Sequence, residues 1–588
     1  MKDIILSSTI YNSILLGIEK IEENKNYLNE VNYFPVPDHD TGENLNHLMQ
    51  RIKKEIRKKE SIKDILRIVS DAAIRGSRGN SGAIFSQFFQ GLEEGCPDKT
   101  VINTSELIEC FRFGSEYAYS ALENPIEGTI LTAISNFYKN LKAYKDEKIH
   151  VEAIFEEAYK KLKLTVEETK YTLKSKTSIH KEDAGALGFI YFLRGFIDGI
   201  NGKEANENNL DYINLNKEVT TNKFDFHIVD NFKYCTEVLM RNEKYIEKTI
   251  LQNLLKKYGD SIVITENKNY RRIHIHTNDP RQIIEILSDL GEIIEVKADD
   301  MILQQRLSKK SVSDIGIVID SIADLPIENL SDFVYMLPLN LMVDGVSYQD
   351  KVSSPKNLSK YKKVTSSQTN ISEIRDFLEP ISKRHKHLIV LTVSSKMSGL
   401  YERYLEFKQN NPDMLLEIID TKLNSVAEGQ VAYHAINKIK EGYSFNELIN
   451  YIENIISRNK ILVSLKNLDG MIKSGRLNKK IGWLLQKTGF LPLVTIDKDG
   501  NGTIKKKAFT QKSNYANLLK EIEDNKEKIE SYALVHVNNL NKAKELEEYL
   551  IERLGFPPMY ISEASSIIEN FSGDGSIAIG YQIKENYE

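Results

Sequence analysis

Cysteine and long apolar runs are the scarcest features of this 588-residue chain. It has three cysteines, Cys96, Cys110 and Cys235. A small, odd number of cysteines in a long chain argues against a disulfide framework and indicates a reducing compartment. Because no run of about 18 apolar residues occurs, no membrane span is expected. The first residues bring glutamates rather than a basic segment and an apolar core, so we expect no signal peptide and a cytoplasmic protein.

Net charge is also small. A formal charge of −5 and a pI near 6.2 argue against a general nucleic-acid-binding protein. Hydrophobic content of 41% and charged content of 28% are those of an ordinary globular protein. The length suggests roughly three or four domains.

Two prolines and two carboxylates stand close together near the N-terminus. Pro35 and Pro37 block a helix and favour an extended or turn-like segment, and Asp38 and Asp40 follow, one residue apart. Close carboxylates repel unless a cation lies between them, and hard oxygen ligands suit Mg²⁺ that carries a nucleotide phosphate. A plain loop with an aspartate cap gives the same spacing.

Apolar residues recur at helical spacing through residues 1–200, and glycine-containing loops interrupt them. The loops at residues 75–82, 125–129 and 183–185 each lead into a helical pattern. Free backbone N–H groups at a helix N-terminus can hold an anion. A simple helix cap is the alternative for each loop, but together with the aspartate pair they favour a nucleotide–metal site.

A polar stretch at residues 201–222 predicts a linker, and the pattern then becomes mixed α/β. His274 and His276 lie on one face of a predicted strand because side chains alternate with period 2, and Cys235 lies on the first strand of the same segment. One thiolate and two imidazoles make a zinc ligand set with a fourth position open. A histidine pair with no ligand role is the alternative.

Residues 314–588 alternate short strands with helices, beginning with an apolar strand that ends at Asp320. This pattern predicts a Rossmann-like half followed by a second sheet. Two hydroxyl-rich loops, residues 365–368 and 394–399, can bind a carboxylate or phosphate, although ordinary turn chemistry explains them as well. No general base accompanies them in the G-x-S-x-G sense, which argues against a serine hydrolase.

Motifs at residues 37–44, 78–82, 127–132 and 183–185 resemble the DhaL (DAK2) family, the nucleotide-binding helical barrel of dihydroxyacetone kinases and bacterial fatty acid kinases. The resemblance implies that Asp38 and Asp40 hold Mg²⁺ and serve catalysis. His39 departs from the glycine usual there, and Asn32 stands near the place of a third metal carboxylate. The ATP-binding residues implied are Thr41, Asn44, Gly79, Asn80, Ser81, Gly82, Gly128, Thr129 and Asp183.

The next segment resembles the middle domain of bacterial fatty acid kinases through its motifs at residues 234–237, 259–261 and 274–280. In that family a cysteine on the first strand and this histidine pair bind zinc, which implies Cys235, His274 and His276 here. The family's middle domain supports phosphoryl transfer between kinase and lipid carrier. The first half of the chain is therefore similar to fatty acid kinases rather than to sugar kinases.

Residues 320–326, 365–368, 394–399, 419–422 and 468–477 resemble the DegV family of fatty-acid-binding proteins. The resemblance implies an acyl chain buried between two subdomains, with Arg476 facing the kinase partner and serving catalysis. The motif histidine near the family's head group is replaced by Phe571, and a Thr-Ser-Gln-Pro-Ser motif is altered at residues 366–370. The lipid head-group residues implied are Thr365, Ser366, Ser394, Ser395, Ser398 and Gly399.

We therefore predict a multidomain fold. An all-α DhaL-like helical barrel spans residues 1–205, a small α/β middle domain spans 223–310, and a two-subdomain α/β DegV fold spans 313–588. The predicted function is ATP-dependent phosphorylation of a fatty acid carboxylate held by the fused DegV domain, which gives an acyl phosphate. The alternatives are a kinase for another small carboxylate or hydroxyl compound, and a non-catalytic lipid-binding or sensor protein in which the His39 side chain prevents ATP binding.

The same resemblance implies ATP, Mg²⁺ and Zn²⁺ as cofactors. A fatty acid is the expected ligand. The expected partners are a separate DegV-family carrier or an acyl-phosphate acceptor, with transient membrane contact and a homodimer. Nucleic acid is not expected as a partner.

Overall fold

The chain divides into two compact units, Met1–Ser308 and Lys309–Glu588. The computed structural model describes residues 4–32, 40–122, 128–145, 149–173, 183–205, 232–244, 246–326, 331–468, 470, 472 and 489–587. None of the three cysteines forms a disulfide. Within the described ranges, no helix combines the length and the apolar character needed to cross a bilayer.

The first unit begins with the helical region that the apolar spacing predicts, and this prediction is confirmed. A short antiparallel pair, β1 (Ile4–Leu6) and β2 (Val101–Asn103), accompanies the helices. The helices described in this part are α1 (Ser7–Glu30), α2 (Thr41–Glu55), α3 (Ile62–Gly76), α4 (Gly79–Gly95), α5 (Thr104–Ser120), α6 (Ile130–Lys142), α7 (Val151–Leu173) and α8 (Ala184–Ile200).

Aromatic side chains fill the centre of the helical part. Phe88 on α4 meets Phe111 on α5 and Phe189 on α8, with ring centroids 5.8 and 5.3 Å apart. Phe111 in turn meets Phe137 on α6 and Phe155 on α7 at 5.4 and 5.5 Å. Edge-to-face contacts of this kind add to the burial of apolar area, so this cluster holds five helices on one core.

A four-stranded antiparallel sheet follows in the same unit, with the order β4-β5-β3-β6. The predicted alternation of strands and helices is confirmed, with ends that shift by a few residues. Its elements are β3 (Tyr234–Arg241), α9 (Lys248–Leu255), β4 (Gly259–Glu266), β5 (Tyr270–Thr277), α10 (Pro280–Ser288), β6 (Ile293–Asp300) and α11 (Met301–Ser308).

The second unit contains a parallel sheet of four strands and a larger, mainly antiparallel sheet of six. Its elements are β7 (Ile315–Asp320), β8 (Val334–Leu337), β9 (Asn340–Val343), β10 (Val346–Gln349), β11 (Val364–Ser366), α12 (Ile371–Ser382), β12 (His387–Thr392), α13 (Leu400–Asn410), β13 (Leu416–Asp420), α14 (Ser425–Lys440), α15 (Phe445–Arg458), β14 (Asn459–Ser464), β15 (Leu493–Ile496), β16 (Gly502–Lys506), α16 (Gln511–Asn525), β17 (Ile529–His536), α17 (Leu540–Leu554), β18 (Ile561–Glu563), α18 (Ser566–Ser572) and β19 (Ile577–Ile583).

The parallel sheet has the order β13-β12-β7-β8, and every residue of β7 is buried, as its apolar run predicts. The six-stranded sheet has the order β16-β15-β14-β19-β17-β18, and β10-β9-β11 form a third, small sheet. The fold class predicted from the sequence is thus confirmed as helical, then mixed α/β, then an α/β unit with two larger sheets and one small sheet.

Candidate functional site

The N-termini of α2, α4 and α8 meet at one end of the helical part. Gly79 opens α4 with a φ of +59°, and a Cβ built on it would lie 3.0 Å from Nδ2 of Asn44 on α2. A Cβ built on Gly185, near the start of α8, would lie 3.0 Å from Oγ of Ser81. Each of these helix starts leaves backbone N–H groups without helical partners. Helix N-termini carry partial positive charge, so their convergence suits phosphate groups.

Asp183 links the start of a fourth helix, α6, to this end of the helical part. Its Oδ2 accepts hydrogen bonds from the N–H groups of Ala186 on α8 and Ile130 on α6, at 2.7 and 3.2 Å. Burial raises the pKa of Asp183 to about 6, although the backbone donors oppose the shift. One carboxylate therefore orders the starts of two helices while it remains largely ionised at neutral pH.

Several of the predicted nucleotide residues lie in these loops. Gly128 has a φ of +87°, its N–H donates to Oγ1 of Thr132 at 2.8 Å, and Thr129 is the residue before α6. Asp40 precedes α2, and its carbonyl accepts from the N–H of Asn44 at 2.8 Å. Beside them stand Thr41, Asn80 and Gly82, within the first turns of α2 and α4. The predicted residues Asp38, His39 and Arg476 lie outside the described residues.

The predicted zinc ligands lie together on one face of the antiparallel sheet. Cys235 on β3 faces His276 on β5 across the strand pair, and His274 is two residues before His276 on the same face. Sγ of Cys235 is 3.8 Å from Nδ1 of His274, and one ligand atom from each of the three residues lies within 4.8 Å of the others.

This donor set fits zinc. Four ligands at zinc–sulfur and zinc–nitrogen bond lengths stand roughly 3.5 Å from one another in a tetrahedron, and small side-chain rotations bring donor atoms within 4.8 Å of one another to that separation. Burial raises the pKa of the Cys235 thiol, whereas a zinc ion would favour its thiolate. Three protein ligands leave one coordination position for another group.

Glu237 and Arg272 also belong to this region, and sequence reasoning missed them. Although burial opposes ionisation, hydrogen bonding to His274 and the guanidinium of Arg272 hold the pKa of Glu237 below its usual range. The available signal was the period-2 alternation of strands, which places Glu237 on the face of Cys235 and Arg272 on the face of His274.

A cavity of about 460 Å³ lies within the second unit. Its walls are mainly aliphatic side chains from the six-stranded sheet, from α18 and from residues that follow the parallel strands, such as Val463, Val535, Ile567 and Ile322. The two hydroxyl-rich loops meet where Gly399 packs beside Gln368, and they form a polar end with Ser366, Ser367, Gln368, Thr369, Lys396 and Ser398. Further polar residues of the lining are Asn424, Ser425, Ser572 and Ser576. The cavity is within the size range of small-molecule sites and has the apolar lining with few polar groups that is typical of them.

Lys396 is the one charged residue in the described lining, and Phe571 lies in the same lining. Of the predicted head-group residues, Ser366 and Ser398 line the cavity, and Gly399 packs beside Gln368, with a built Cβ 3.1 Å from its Nε2.

The remaining predicted head-group residues have other surroundings. Oγ of Ser394 donates to the carbonyl of Gly500 at 2.8 Å, and Oγ of Ser395 donates to Oδ2 of Asp420 at 2.6 Å. Thr365 is an exposed residue of β11, opposite Met342. The structure therefore brings only part of the predicted set to the cavity.

Family models match three successive parts of the chain. The DAK2 domain model matches residues 35–198, the FakA-like middle-domain model of fatty acid kinases matches residues 231–308, and the DegV family model matches residues 314–584. The chain joins a DAK2 domain and a fatty acid kinase-type middle domain to a DegV domain. The three matches follow one another without overlap along the chain.

Curated relatives cover part of this arrangement. Uncharacterised proteins of Staphylococcus epidermidis and Staphylococcus haemolyticus are 28% and 27% identical over 305 residues, which is 50% of this chain and 54% of each relative. The chain spans about half the length of the curated relatives it matches.

Solved structures match the DegV domain. A fatty acid binding DegV family protein from Streptococcus agalactiae is 23% identical and has a TM-score of 0.42, covering 47% of this chain and 100% of its own. The fatty acid kinase B3 protein of Streptococcus pneumoniae, loaded with linoleic acid, is 19% identical with a TM-score of 0.41, covering 46% and 99%.

Proposed function

We propose that this chain transfers the γ-phosphate of ATP to the carboxylate of a fatty acid that its DegV domain holds. The observation that carries the proposal is the cavity of about 460 Å³, apolar over most of its wall and polar at one end, in a chain that also has a DAK2 domain. A long alkyl chain fits apolar walls, and its carboxylate fits hydroxyls and a single cation.

The nucleotide half of the proposal rests on the four converging helix starts. Asp38 and Asp40 hold Mg²⁺, which neutralises charge on the phosphates when it is bound. The ATP lies along Thr41, Asn44, residues 79–82, Gly128 and Thr129, with Asp183 ordering the loops around it. Backbone N–H groups of these helix starts then bind phosphate oxygens.

The transfer step is a displacement at the γ-phosphorus. A carboxylate oxygen of the fatty acid forms a bond to phosphorus while the bond to the β–γ bridging oxygen breaks, and ADP leaves with that electron pair. The protein itself forms no covalent bond in this step, so catalysis depends mainly on positioning the reactants and neutralising charge. Arg476 is proposed to meet the partner domain and to neutralise the developing charge.

In the acyl half, Lys396 and Ser398 receive the carboxylate, with Ser366 on the facing loop. Phe571 replaces the motif histidine of the DegV family, so Lys396 supplies the positive charge at the polar end. Phe571 extends the apolar wall. Zinc held by Cys235, His274 and His276 supplies a fixed charge and a structural anchor in the middle domain.

The test is to incubate the full chain with labelled ATP, Mg²⁺ and a long-chain fatty acid, and to trap acyl phosphate with hydroxylamine. We expect acyl hydroxamate in proportion to ADP. Lys396→Met removes the cation, so it raises the KM for the fatty acid about two- to fivefold, the size expected for one exposed ion pair. Lys440→Met, at the exposed end of α14 and outside the cavity lining, leaves this KM unchanged.

Two rival functions give different results in the same assay. ATP and fatty acid bound without acyl phosphate would contradict the proposal, and absence of ATP binding at millimolar concentration would indicate a lipid carrier or sensor. A short polar compound retained by the purified chain and phosphorylated by it would indicate another kinase substrate.

A further inference from the structure

Arg272 fastens the middle domain to the end of α3. Its Nε donates to the carbonyl of Ile74 at 3.1 Å, and its Nη2 donates to the carbonyl of Arg75 at 2.8 Å. These carbonyls belong to the last turn of α3, where the helix has no partners of its own for them and carries partial negative charge. A buried guanidinium there fixes the segment that leads from α3 into the residues 79–82 turn.

Glu237 holds the other side of that turn. Its Oε2 accepts from Nη1 of Arg272 at 2.9 Å, and its Oε1 accepts from the backbone N–H of Gly79, the first residue of α4, at 3.3 Å. Both side chains are more than 90% buried. The contact at Gly79 leaves the N–H groups of the following residues of the turn for another anion.

The same carboxylate reaches the metal triad. Oε1 of Glu237 lies 3.6 Å from Nδ1 of His274, and His274 lies beside Cys235. Glu237 thus contacts a predicted zinc ligand and the first N–H of the predicted phosphate-binding turn. A short connection of this kind lets the occupancy of one site bias the arrangement of the other.

We propose that Glu237 and Arg272 are positioning residues that couple metal binding at Cys235, His274 and His276 to nucleotide binding at the residues 79–82 turn. Metal bound through Nε2 of His274 fixes its ring and leaves Nδ1–H to donate to Oε1 of Glu237. Glu237 is thereby held against the N–H of Gly79, and the turn is ordered before ATP arrives. The coupling is positive: metal raises the affinity for ATP, and ATP raises the affinity for metal by the same factor. This inference rests on the proposed nucleotide and zinc sites.

The experiment measures ATP affinity by calorimetry on the full chain, zinc-loaded and after zinc removal. For the wild type we expect zinc to strengthen ATP binding about tenfold, within the usual range of coupling between sites. Zinc affinity, measured by competition with a chromogenic chelator, rises by the same factor when ATP is present. Cobalt substitution reports through its thiolate absorption band whether the triad is intact.

Matched variants distinguish the loss of the contacts made by Glu237 and Arg272 from a general loss of stability in the middle domain. Glu237→Gln removes the charge, and Arg272→Lys removes the planar fork that reaches two carbonyls and the carboxylates of Glu237 and Glu295 at once. The controls are Glu266→Gln and Arg271→Lys, a neighbouring pair joined at 2.6 Å in which Arg271 is buried and Glu266 half-buried, and whose described side-chain contacts stay within the middle domain. Glu237→Gln and Arg272→Lys abolish the zinc dependence of ATP binding and keep the cobalt band, whereas both controls keep the dependence.

The results that would contradict the coupling differ from those that would contradict the proposed function. If wild-type ATP affinity does not respond to zinc while both ligands bind, or if Glu237→Gln keeps the response, the coupling is overturned and the proposed function stands. If the wild type binds no ATP, the proposed function falls and the coupling with it. If the cobalt band is absent in the wild type, the triad is not a metal site and the coupling is wrong.

Discussion

At the scale of single residues, the candidate site depends on buried charged groups with several partners. Asp183 caps two helices with one oxygen, and Arg272 reaches two carbonyls and two carboxylates. Leaving such partners unmatched inside a protein costs more than each hydrogen bond contributes net. Substitutions at these positions therefore change the local arrangement of the helix starts as well as the charge.

Asp183 gives a pH prediction with a definite sign. Its pKa is raised to about 6 in the folded chain, against about 3.9 in an unfolded one. The folded state therefore holds a proton between pH 4 and 6 that the unfolded state has lost, so the contribution of Asp183 to stability is full below pH 4 and falls as the pH rises to 6. The change is about 3 kcal/mol.

Hydrogen exchange at the starts of α6 and α8 measures this effect, after correction for intrinsic exchange. Protection of these backbone amides in the wild type, relative to Asp183→Asn, decreases between pH 4 and 6. The asparagine side chain does not titrate in this range, so the variant lacks the effect. Asp64→Asn, at the exposed start of α3, serves as control and leaves the pH profile of the wild type unchanged. A wild-type profile that matches Asp183→Asn would contradict the prediction.

Residue-level reasoning from the sequence reached some of these groups. Period-2 alternation was enough to group His274 with His276. The link from Glu237 to Gly79 depends on how a strand packs against a helix start far away in sequence, which no local pattern encodes. The partners of Ser394 and Ser395 were missed for the same reason, since Gly500 and Asp420 come from other segments.

At the scale of elements, small residues decide how α1 and α8 pack. A Cβ built on Gly195 would lie 2.1 Å from the carbonyl oxygen of Leu16, and one built on Gly199 would lie 2.4 Å from Cα of Ser13. Close backbone approach of this kind requires glycine. The position of α8 along α1 therefore depends on these contacts, and with it the position of the Asp183 cap at the start of α8.

Gly195→Ala is expected to destabilise the helical region by about 1–3 kcal/mol, the usual cost of overpacking. Helix propensity alone predicts the opposite sign, a gain of about 1 kcal/mol. Urea unfolding followed by far-ultraviolet circular dichroism decides between them. Gly82→Ala is the matched helical control, because its added Cβ meets only ordinary contacts at 3.4 Å, and it should be neutral or stabilising.

Elements with clear periodicity or turn signals were predictable, and others were not. Helices α1 to α8 follow from apolar spacing, and β7 follows from its apolar run. Strand β14 gives no such signal, because it begins directly where α15 ends, at Asn459, with no glycine or proline between them. Its place in the sheet comes from antiparallel pairing with β15 and β19, which is non-local.

At the scale of the whole molecule, one chain carries the match to the DAK2 domain and the match to the DegV family in separate compact units. A covalent link makes the encounter of the two an event within one chain. For a short flexible link the effective concentration is in the millimolar range, provided that the link lets the units meet. A second chain at micromolar concentration competes poorly against it.

We therefore expect phosphoryl transfer to take place within one chain. Asp40→Asn chains are loaded with deuterated fatty acid, mixed with wild-type chains loaded with ordinary fatty acid, and given ATP for a single turnover. Asp40→Asn removes a proposed Mg²⁺ ligand, so its own fatty acid stays unphosphorylated, and mass spectrometry should find acyl phosphate in the ordinary form alone. A parallel mixture without ATP, from which the two forms are separated through an affinity tag on one of them, measures exchange of fatty acid between chains. Deuterated acyl phosphate formed at a rate proportional to chain concentration would show that one chain phosphorylates the fatty acid of another, since a tethered donor gives no such dependence.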